Sequence, residues 1–463
     1  YGDSYILFDV LRLRRTGILY RDLSQPPYVP AQYSPLVYVL YAVAGAVIES
    51  SNPFYGPRLV VLGSFACCIG LAASIARTLI PARSAWAWGV LLGCSIRSTW
   101  GWVLQLRGDF PGICFELLAI RLLLSPARWA MPMAGACAGL ALQFKITFVA
   151  ALATGASWLV LERRWADLRR FLVPAIVFAF GPYLIVRARE PLMFSHIFAL
   201  SPGIIELNVW RLLLRDVVSE LVVLLGLLAL PAAGFLRRPD WSLLILFVSI
   251  SLTVGAVTDL QAGGNINYFF DALFALVPLA VVGVLRMASL AHRRVAVGLL
   301  MATLIGLHDA APRALALFEN RDRLKGRAAE IQSRNLEFRT AETTLSGQRI
   351  FSTVPRLALI DPAPTLTEPF LLSYLIRMGK IDPEPIVRQV RNGDFDVVIT
   401  LEESGESWRG VPHIAPILRE AISTAYRPHC RLIDSVVHLP KQLHSGTEAL
   451  AGALERIQCE PIR

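Results

Sequence analysis

Charge is what this chain lacks most. Only 17% of its 463 residues are Asp, Glu, Lys or Arg, against roughly 25% in an average soluble domain. The deficit is confined to one part of the chain. From Tyr1 to Ala311, 41 of 311 residues are charged, about 13%, whereas 39 of the remaining 152 are, about 26%. Lysine is nearly missing from the first part, where Lys145 stands alone beside 24 arginines. So apolar a first part excludes a purely soluble enzyme and a disordered chain. Cysteine is also sparse, with 7 residues, which excludes a disulfide scaffold. Five of these lie in apolar stretches, where a thiol packs as a small hydrophobe. Cys430 and Cys459 are alone in the tail, where their spacing does not decide whether they pair. None of the 7 histidines falls in a metal-ligand pair such as HExxH. Glycine-rich phosphate loops, internal repeats and low-complexity segments are absent as well. The net charge of +10 divides into +9 for the first part and +1 for the tail. With no basic stripe carrying interleaved aromatics, nucleic-acid binding is excluded as the reading of that charge.

What is present is hydrophobic length. Apolar runs lie near 34–48, 58–80, 84–97, 110–125, 129–144, 146–161, 171–187, 214–236, 241–258, 267–285 and 294–309. A spanning helix needs about 20 apolar residues, so several of these runs are short. The pair at 129–144 and 146–161 reads as two short helices hinged at Gln143–Lys145, and 84–97 as a partial crossing. The chain is expected to be an α-helical polytopic membrane protein with about ten spans. It opens at Tyr1 in a polar, proline-rich stretch, and a further spanning helix is expected upstream.

Arginine clusters at 163–170, 237–238 and 286–294 belong on the cytoplasmic side by the positive-inside rule. The loops at 188–213 and 259–266, residues 1–33 and the tail then fall outside. That parity requires one run, 34–48 or 84–97, not to cross. Residues 1–311 are read as the membrane domain, with 1–33 as its first extracytoplasmic loop. Residues 312–345 are read as a linker helix, and 346–463 as a small soluble α/β domain. In that domain 349–353, 395–402 and 431–437 have strand patterns, and 368–379 and 413–425 have helical spacing.

Ionisable groups near spans are functional candidates by default, and each has a plainer reading. Asp3, beside Tyr1, Tyr5 and Phe8, could act as a general base for a hydroxyl or be a solvated loop acid or helix cap. Asp9 shares a helical face with Leu13 and reads as structural. QPPYVPAQYSPL (25–36) holds four prolines, giving rigid, non-helical chain that either braces a site or simply enters a helix. Arg107 and Asp109 could hold a phosphate and orient it, or form a loop ion pair at a helix start. Lys145, in LALQFKITF, needs a counter-ion or anionic ligand, or it snorkels to the interface. GGNINYFFDALFALVP (263–278) leads with Asn265 and Tyr268 into a helix whose exposed amides could bind phosphate or be closed by an ordinary cap.

In their order these segments resemble the GT-C membrane glycosyltransferases, most closely glycosyltransferase family 39 and its bacterial polyprenyl-phosphate-sugar-dependent relatives. The resemblance is carried by GDS (2–4), GILYRD (17–22), YSPL with Tyr33 (33–36), GPRLVVLG (56–63), RGDFPG (107–112), Lys145 in a helix hinge and GGNINYFFD (263–271). It covers most of residues 1–311. Many relatives have Asp-Glu at the opening motif. Here Ser4 follows Asp3, so a second carboxylate would come from elsewhere, such as Asp22 or Asp109.

The resemblance implies an enzyme that moves a hexosyl or pentosyl unit, with inversion, from a polyprenyl-phosphate donor to an acceptor hydroxyl on the extracytoplasmic face of a bacterial inner membrane. Asp3 would be the base. Asp22, Tyr33, Arg107, Asp109, Lys145, Asn265 and Tyr268 would bind donor or substrate. The partners would be the lipid-linked sugar, a glycan, lipid or protein acceptor, and membrane lipids. No cofactor is implied, and a divalent metal is not required. The alternative is a transporter or flippase without covalent chemistry, which would show inverted repeats and helices broken at the midplane. An inactive scaffold of the same fold is a third reading.

Overall fold

A computed structural model describes residues 2–24, 28–48, 50, 52–199, 207–220, 223, 239–260, 265–290, 340, 343–354, 365–366, 369–401, 414–432, 435–442, 445–456 and 459–461. The chain forms two compact units. One comprises Tyr1–Gln32, Glu190–Ser201 and Leu317–Arg463; the other comprises Tyr33–Arg189 and Pro202–Ala316.

The second unit is helical. Its elements are α2 (Pro35–Val47), α3 (Tyr55–Leu79), α4 (Arg83–Cys94), α5 (Asp109–Leu123), α6 (Ala130–Ala141), α7 (Ala150–Leu161), α8 (Trp165–Arg189), α9 (Leu207–Val218), α10 (Pro239–Asp259) and α11 (Phe270–Leu290). Among the described residues four helical segments are long and apolar enough to cross a membrane: Tyr55–Leu79, Trp165–Arg189, Pro239–Asp259 and Ile266–Leu285. At 12 residues each, α4, α6 and α7 are about 18 Å long, too short to cross singly. The break expected at Gln143–Lys145 is present, since α6 ends at Ala141 and α7 begins at Ala150. The run at 294–309 lies outside the described residues, as does most of 214–236 after α9.

Without a hydrophobic force between helices in lipid, close packing depends on small side chains. Helix α6 meets α8 through Gly135 and Gly139. A Cβ on Gly135 would lie 1.9 Å from the Phe171 carbonyl oxygen, and one on Gly139 would lie 2.4 Å from that of Ala175. Aromatic rings fill the contact of α3, α5 and α11. Phe110 stacks on Phe270 at 5.8 Å, and Phe65 meets Phe110 edge-on at 5.1 Å.

The first unit joins the opening residues to the C-terminal sheet. Within the stretch read as the first extracytoplasmic loop lies a 15-residue helix, α1 (Gly2–Thr16). Its Tyr5 and Phe8 pack with Val29, and Tyr5 Oη donates to the Thr353 carbonyl at 3.1 Å. Asp9 is buried against Arg12 at 2.7 Å, the structural role read for it. His196 bonds the chain on both sides of residues 25–27: Nδ1 accepts from Ala31 N at 3.1 Å, and Nε2 donates to the Arg21 carbonyl at 2.6 Å.

The sheet has six strands in the order β2-β1-β3-β5-β4-β6: β1 (Ile350–Ser352), β2 (Thr365–Leu366), β3 (Val397–Leu401), β4 (Tyr426–Leu432), β5 (Ser435–Pro440) and β6 (Glu460–Pro461). The first strand pairs in parallel with β2 and β3; the β3–β5, β4–β5 and β4–β6 pairs are antiparallel. Its helices are α12 (Pro369–Arg377), α13 (Glu384–Arg391), α14 (Pro416–Ala425) and α15 (Ser445–Arg456). The strand expected over 431–437 is instead a hairpin. Leu432 ends β4, Ser435 opens β5, and the two residues pair with each other. The run thus holds the end of one strand and the start of the next, not a single strand. Cys430 and Cys459 are disulfide-bonded across 29 residues, at the place where β4 meets β6. The linker expected at 312–345 lies mostly outside the described residues.

Burial on β5 pushes the His438 imidazole down to about 4. An unfolded histidine titrates near 6.5, so below that pH the unfolded chain binds a proton that the folded chain refuses. Stability from this residue is complete above about 6.5 and is lost as the pH falls toward 4. His438→Gln keeps a hydrogen-bonding group but does not titrate. Between pH 7 and 4.5 the parent should lose about 2 kcal/mol more than this variant in denaturant melts of the detergent-solubilised chain. Equal losses would mean that His438 is not held neutral.

Candidate functional site

The site of the helical unit grows from the α6–α7 break. Breaking a helix frees backbone groups that must find partners away from water, and two neighbouring helices and Ser34, just before α2, supply them. From α8, Tyr183 Oη donates to the Leu142 carbonyl at 2.9 Å, with Ser34 Oγ 2.6 Å from the same phenol oxygen. Gln143 Nε2 donates to the Ala179 carbonyl, also on α8, at 2.6 Å. From α5, the buried Glu116 accepts from Ala151 N at 3.0 Å and so caps α7, whose preceding residue, Val149, offers no side-chain cap. The break is therefore a bonded, fixed element rather than a loose joint.

Close approach of α5 to this break depends on Gly108. A Cβ there would lie 2.6 Å from the Phe144 carbonyl oxygen. The next residue, Asp109, is the first of α5, where the helix dipole favours a carboxylate. Its Oδ1 accepts from Lys145 Nζ at 3.2 Å and from Asn267 Nδ2 at 2.9 Å. Lys145 also lies over the Tyr268 ring, 3.6 Å from its centroid, a cation–π contact that strengthens once water is excluded. The Asp109 side chain is 2% exposed and that of Lys145 12%, so the lysine is held inward and does not snorkel. Arg107 rests on Trp102 at 4.4 Å, and its carbonyl accepts from Tyr41 Oη at 2.5 Å. The half-buried Tyr33 lies within electrostatic reach of Arg107, Asp109, Lys145 and Tyr268. Two buried acceptor atoms, Asp109 Oδ2 and Asn267 Oδ1, have no hydrogen-bond partner among the described residues. Buried polar atoms are rarely left unpaired, so a donor is expected to reach them.

Tyr33, Arg107, Asp109, Lys145 and Tyr268 thus come together, drawn from four separate stretches of chain. Asn265 supports this group from beneath: its Oδ1 accepts from Ile266 N and its carbonyl from Tyr268 N, setting the turn that carries Asn267 and Tyr268. Asp22 belongs to the other unit. It is exposed, and its Oδ1 accepts from Ser24 N at 2.9 Å, a bond that holds the carboxyl below its ordinary range. Asp3 lies in α1, and its side chain is outside the described residues, as are Gly263 and Gly264.

Two participants escaped the sequence reading. Asn267, not Asn265, touches Asp109; the N-x-N spacing was visible, but which asparagine faced inward was not. Glu116 was detectable as a lone acid in the apolar run at 110–125. Chemically, the group offers two cations, a carboxylate, an amide and phenols at a bend in the membrane unit, a set suited to an oxyanion and neighbouring hydroxyls. Among the described residues no cluster of three or more His, Cys, Asp or Glu could hold a metal.

No protein-family model and no curated protein matches the sequence. Solved structures do match the fold. ArnT from Cupriavidus metallidurans in the apo state is 14% identical, covering 94% of this chain and 93% of its own, with a TM-score of 0.65. The same protein bound to undecaprenyl phosphate gives a TM-score of 0.62 at the same identity and coverage. The Archaeoglobus fulgidus oligosaccharyltransferase is more distant, with 12% identity, coverage of 94% and 68%, and a TM-score of 0.49. The GT-C-like architecture that the sequence resembles is thus the fold of this chain, a small sheet-containing C-terminal region included. With its apolar helices, the chain is a multi-pass membrane protein.

Removing one partner of a buried ion pair strands the other charge, which costs about 3–5 kcal/mol. Asp109→Ala should therefore destabilise the chain by about that amount, read as a fall in the thermal midpoint in detergent. The double variant Asp109→Ala with Lys145→Met should recover most of the loss. A double variant no more stable than the single would show that the pair is not the source of the cost.

Proposed function

We propose that this chain transfers a sugar from a polyprenyl-phosphate donor to an acceptor hydroxyl. The observation that carries the reading is the inward-held Lys145, paired with Asp109 and Tyr268 at a helix break and accompanied by Arg107. Such a cluster suits the charge that a departing lipid phosphate develops. Preorganised donors aimed at developing charge are the strongest catalytic device in a site shielded from water. A supporting point is the fold shared with ArnT, a protein crystallised with undecaprenyl phosphate.

In this reading the acceptor oxygen attacks the anomeric carbon as the carbon–oxygen bond to the phosphate breaks, with inversion. Asp3 takes the acceptor proton. Lys145, Arg107 and the Tyr33 hydroxyl receive the negative charge of the lipid phosphate. Asp109 acts through Lys145 by fixing its position, and Asp109 Oδ2 and Asn267 Oδ1 accept from hydroxyls of the sugar. The reaction takes place on the extracytoplasmic face. The Cys430–Cys459 disulfide favours that side for the C-terminal domain, because such bonds persist in oxidising compartments.

The transporter reading keeps one specific support, the break between α6 and α7, since broken helices also build transport sites. A single assay separates the two. The chain in nanodiscs, offered a panel of radiolabelled polyprenyl-phosphate sugars, should release polyprenyl phosphate. Lys145→Ala should lower turnover at least about 100-fold, and Asp3→Asn should lower it comparably. Saturable solute binding with no turnover of any donor would replace the enzyme by the transporter.

A further inference from the structure

The C-terminal sheet carries a hollow that the transfer reading does not use. Its volume is about 400 Å³, and it lies between strands β3, β4 and β5 and helix α14. The strand registers explain its floor. Val398 stands opposite His438, Thr400 opposite Val436, and Pro428 also opposite His438. Side chains two apart share a face, so Thr400, Val436 and His438 join Tyr426 on the side that faces α14. Thr400 Oγ1 and His438 Nε2 are 2.9 Å apart, which aligns a hydroxyl and an imidazole across the floor. Ile422 from α14 provides the opposing apolar wall.

The rim is cationic. Arg419, Arg427 and Lys441 all line the hollow, and no described lining residue is Asp or Glu. Arg427 and Lys441 are exposed and form no ion pair with a described carboxylate. A concave site with apolar walls and a few convergent polar groups is the usual form of a small-ligand pocket. Two cations with no ion-pair partner among the described residues stand at its mouth and favour a ligand of negative charge, and the arginine fork matches a phosphate or carboxylate.

We propose that this hollow binds a small organic anion, its phosphate or carboxylate held by Arg427 and Lys441 and its body seated on the apolar walls beside Thr400. Such an anion could be a free solute or the headgroup of a lipid, and the chemistry of recognition is the same. The site lies wholly in the unit that contains the sheet and does not rest on the transfer reading.

The test uses the full chain in neutral detergent, with ligand-observed NMR titrations of glucose 6-phosphate and of glucuronate against neutral glucose. Both anions should bind saturably and glucose should not. The double reversal Arg427→Glu with Lys441→Glu should weaken binding at least about tenfold. Ser423→Trp, which fills the hollow without altering charge, should do the same. Arg388→Glu with Arg391→Glu, exposed on α13, should leave binding unchanged. A repeat in nanodiscs with and without phosphatidylglycerol identifies the source: competition by the anionic lipid marks a headgroup site, and its absence marks a free solute. Lack of saturable binding by either anion, or equal weakening by the α13 pair, would overturn the proposal.

Discussion

A lysine ammonium inside a membrane protein must be neutralised or the helix bearing it will not stay there. Lys145 meets this constraint with a carboxylate at 3.2 Å and an aromatic face at 3.6 Å, and much of the helical unit is arranged to make that possible. The α6–α7 break turns the lysine toward α5. Gly108 lets the two backbones approach, and α5 begins where Asp109 can accept. The 3₁₀ turn at Ile266–Phe269 delivers Asn267 and Tyr268 to the same point. The break itself persists only because Tyr183, Ser34 and Glu116 hydrogen-bond the backbone that it exposes. A chain of short-range bonds thus fixes one buried cation.

Under the proposed transfer, fixing the charge in this way has a functional consequence. A flexible lysine would have to be reorganised as a phosphate departed, and reorganisation raises the barrier that preorganised dipoles avoid. Asp109 lowers the cost of holding the cation before ligand arrives. It spends only one oxygen on Lys145 and Asn267, leaving Oδ2 as an acceptor. The C-terminal sheet solves a different problem. Its disulfide ties β4 to the residue just before β6, a covalent link at one edge of the sheet.

Much of the fold could be read from the sequence because hydrophobic length and isolated charges are local signals. Most apolar runs that fall on described residues became helices with ends within a few residues, such as Pro35–Val47, Tyr55–Leu79 and Pro239–Asp259, and the solitary Lys145 marked the break. The strand at Val397–Leu401 and the helix at Pro416–Ala425 follow from a short buried apolar run and from helical spacing in the same way. What failed was non-local or depended on short turns. The stretch 431–437 read as one strand because β4 ends and β5 begins within it, at Leu432 and Ser435. How the 15-residue opening helix packs was hidden because its partners, Val29 and Thr353, lie elsewhere in the chain. Pairing of Cys430 with Cys459 requires their Cα atoms to lie 5.4 Å apart, a distance set by strand register. In the site, Arg107, Asp109, Lys145 and Tyr268 stood out singly as costly or unusual residues. That Asp109 would choose Lys145 and Asn267 is a tertiary fact that no spacing encodes.

The central claim is that the cluster around Lys145 receives the phosphate of a lipid donor. An experimental structure of the chain bound to undecaprenyl phosphate tests it most directly. The account predicts the phosphate within hydrogen-bond reach of Lys145 Nζ, with Asp109 still paired to that lysine. A phosphate bound elsewhere on the chain, with the Lys145–Asp109–Asn267 contacts closed beneath ordinary lipid, would contradict it.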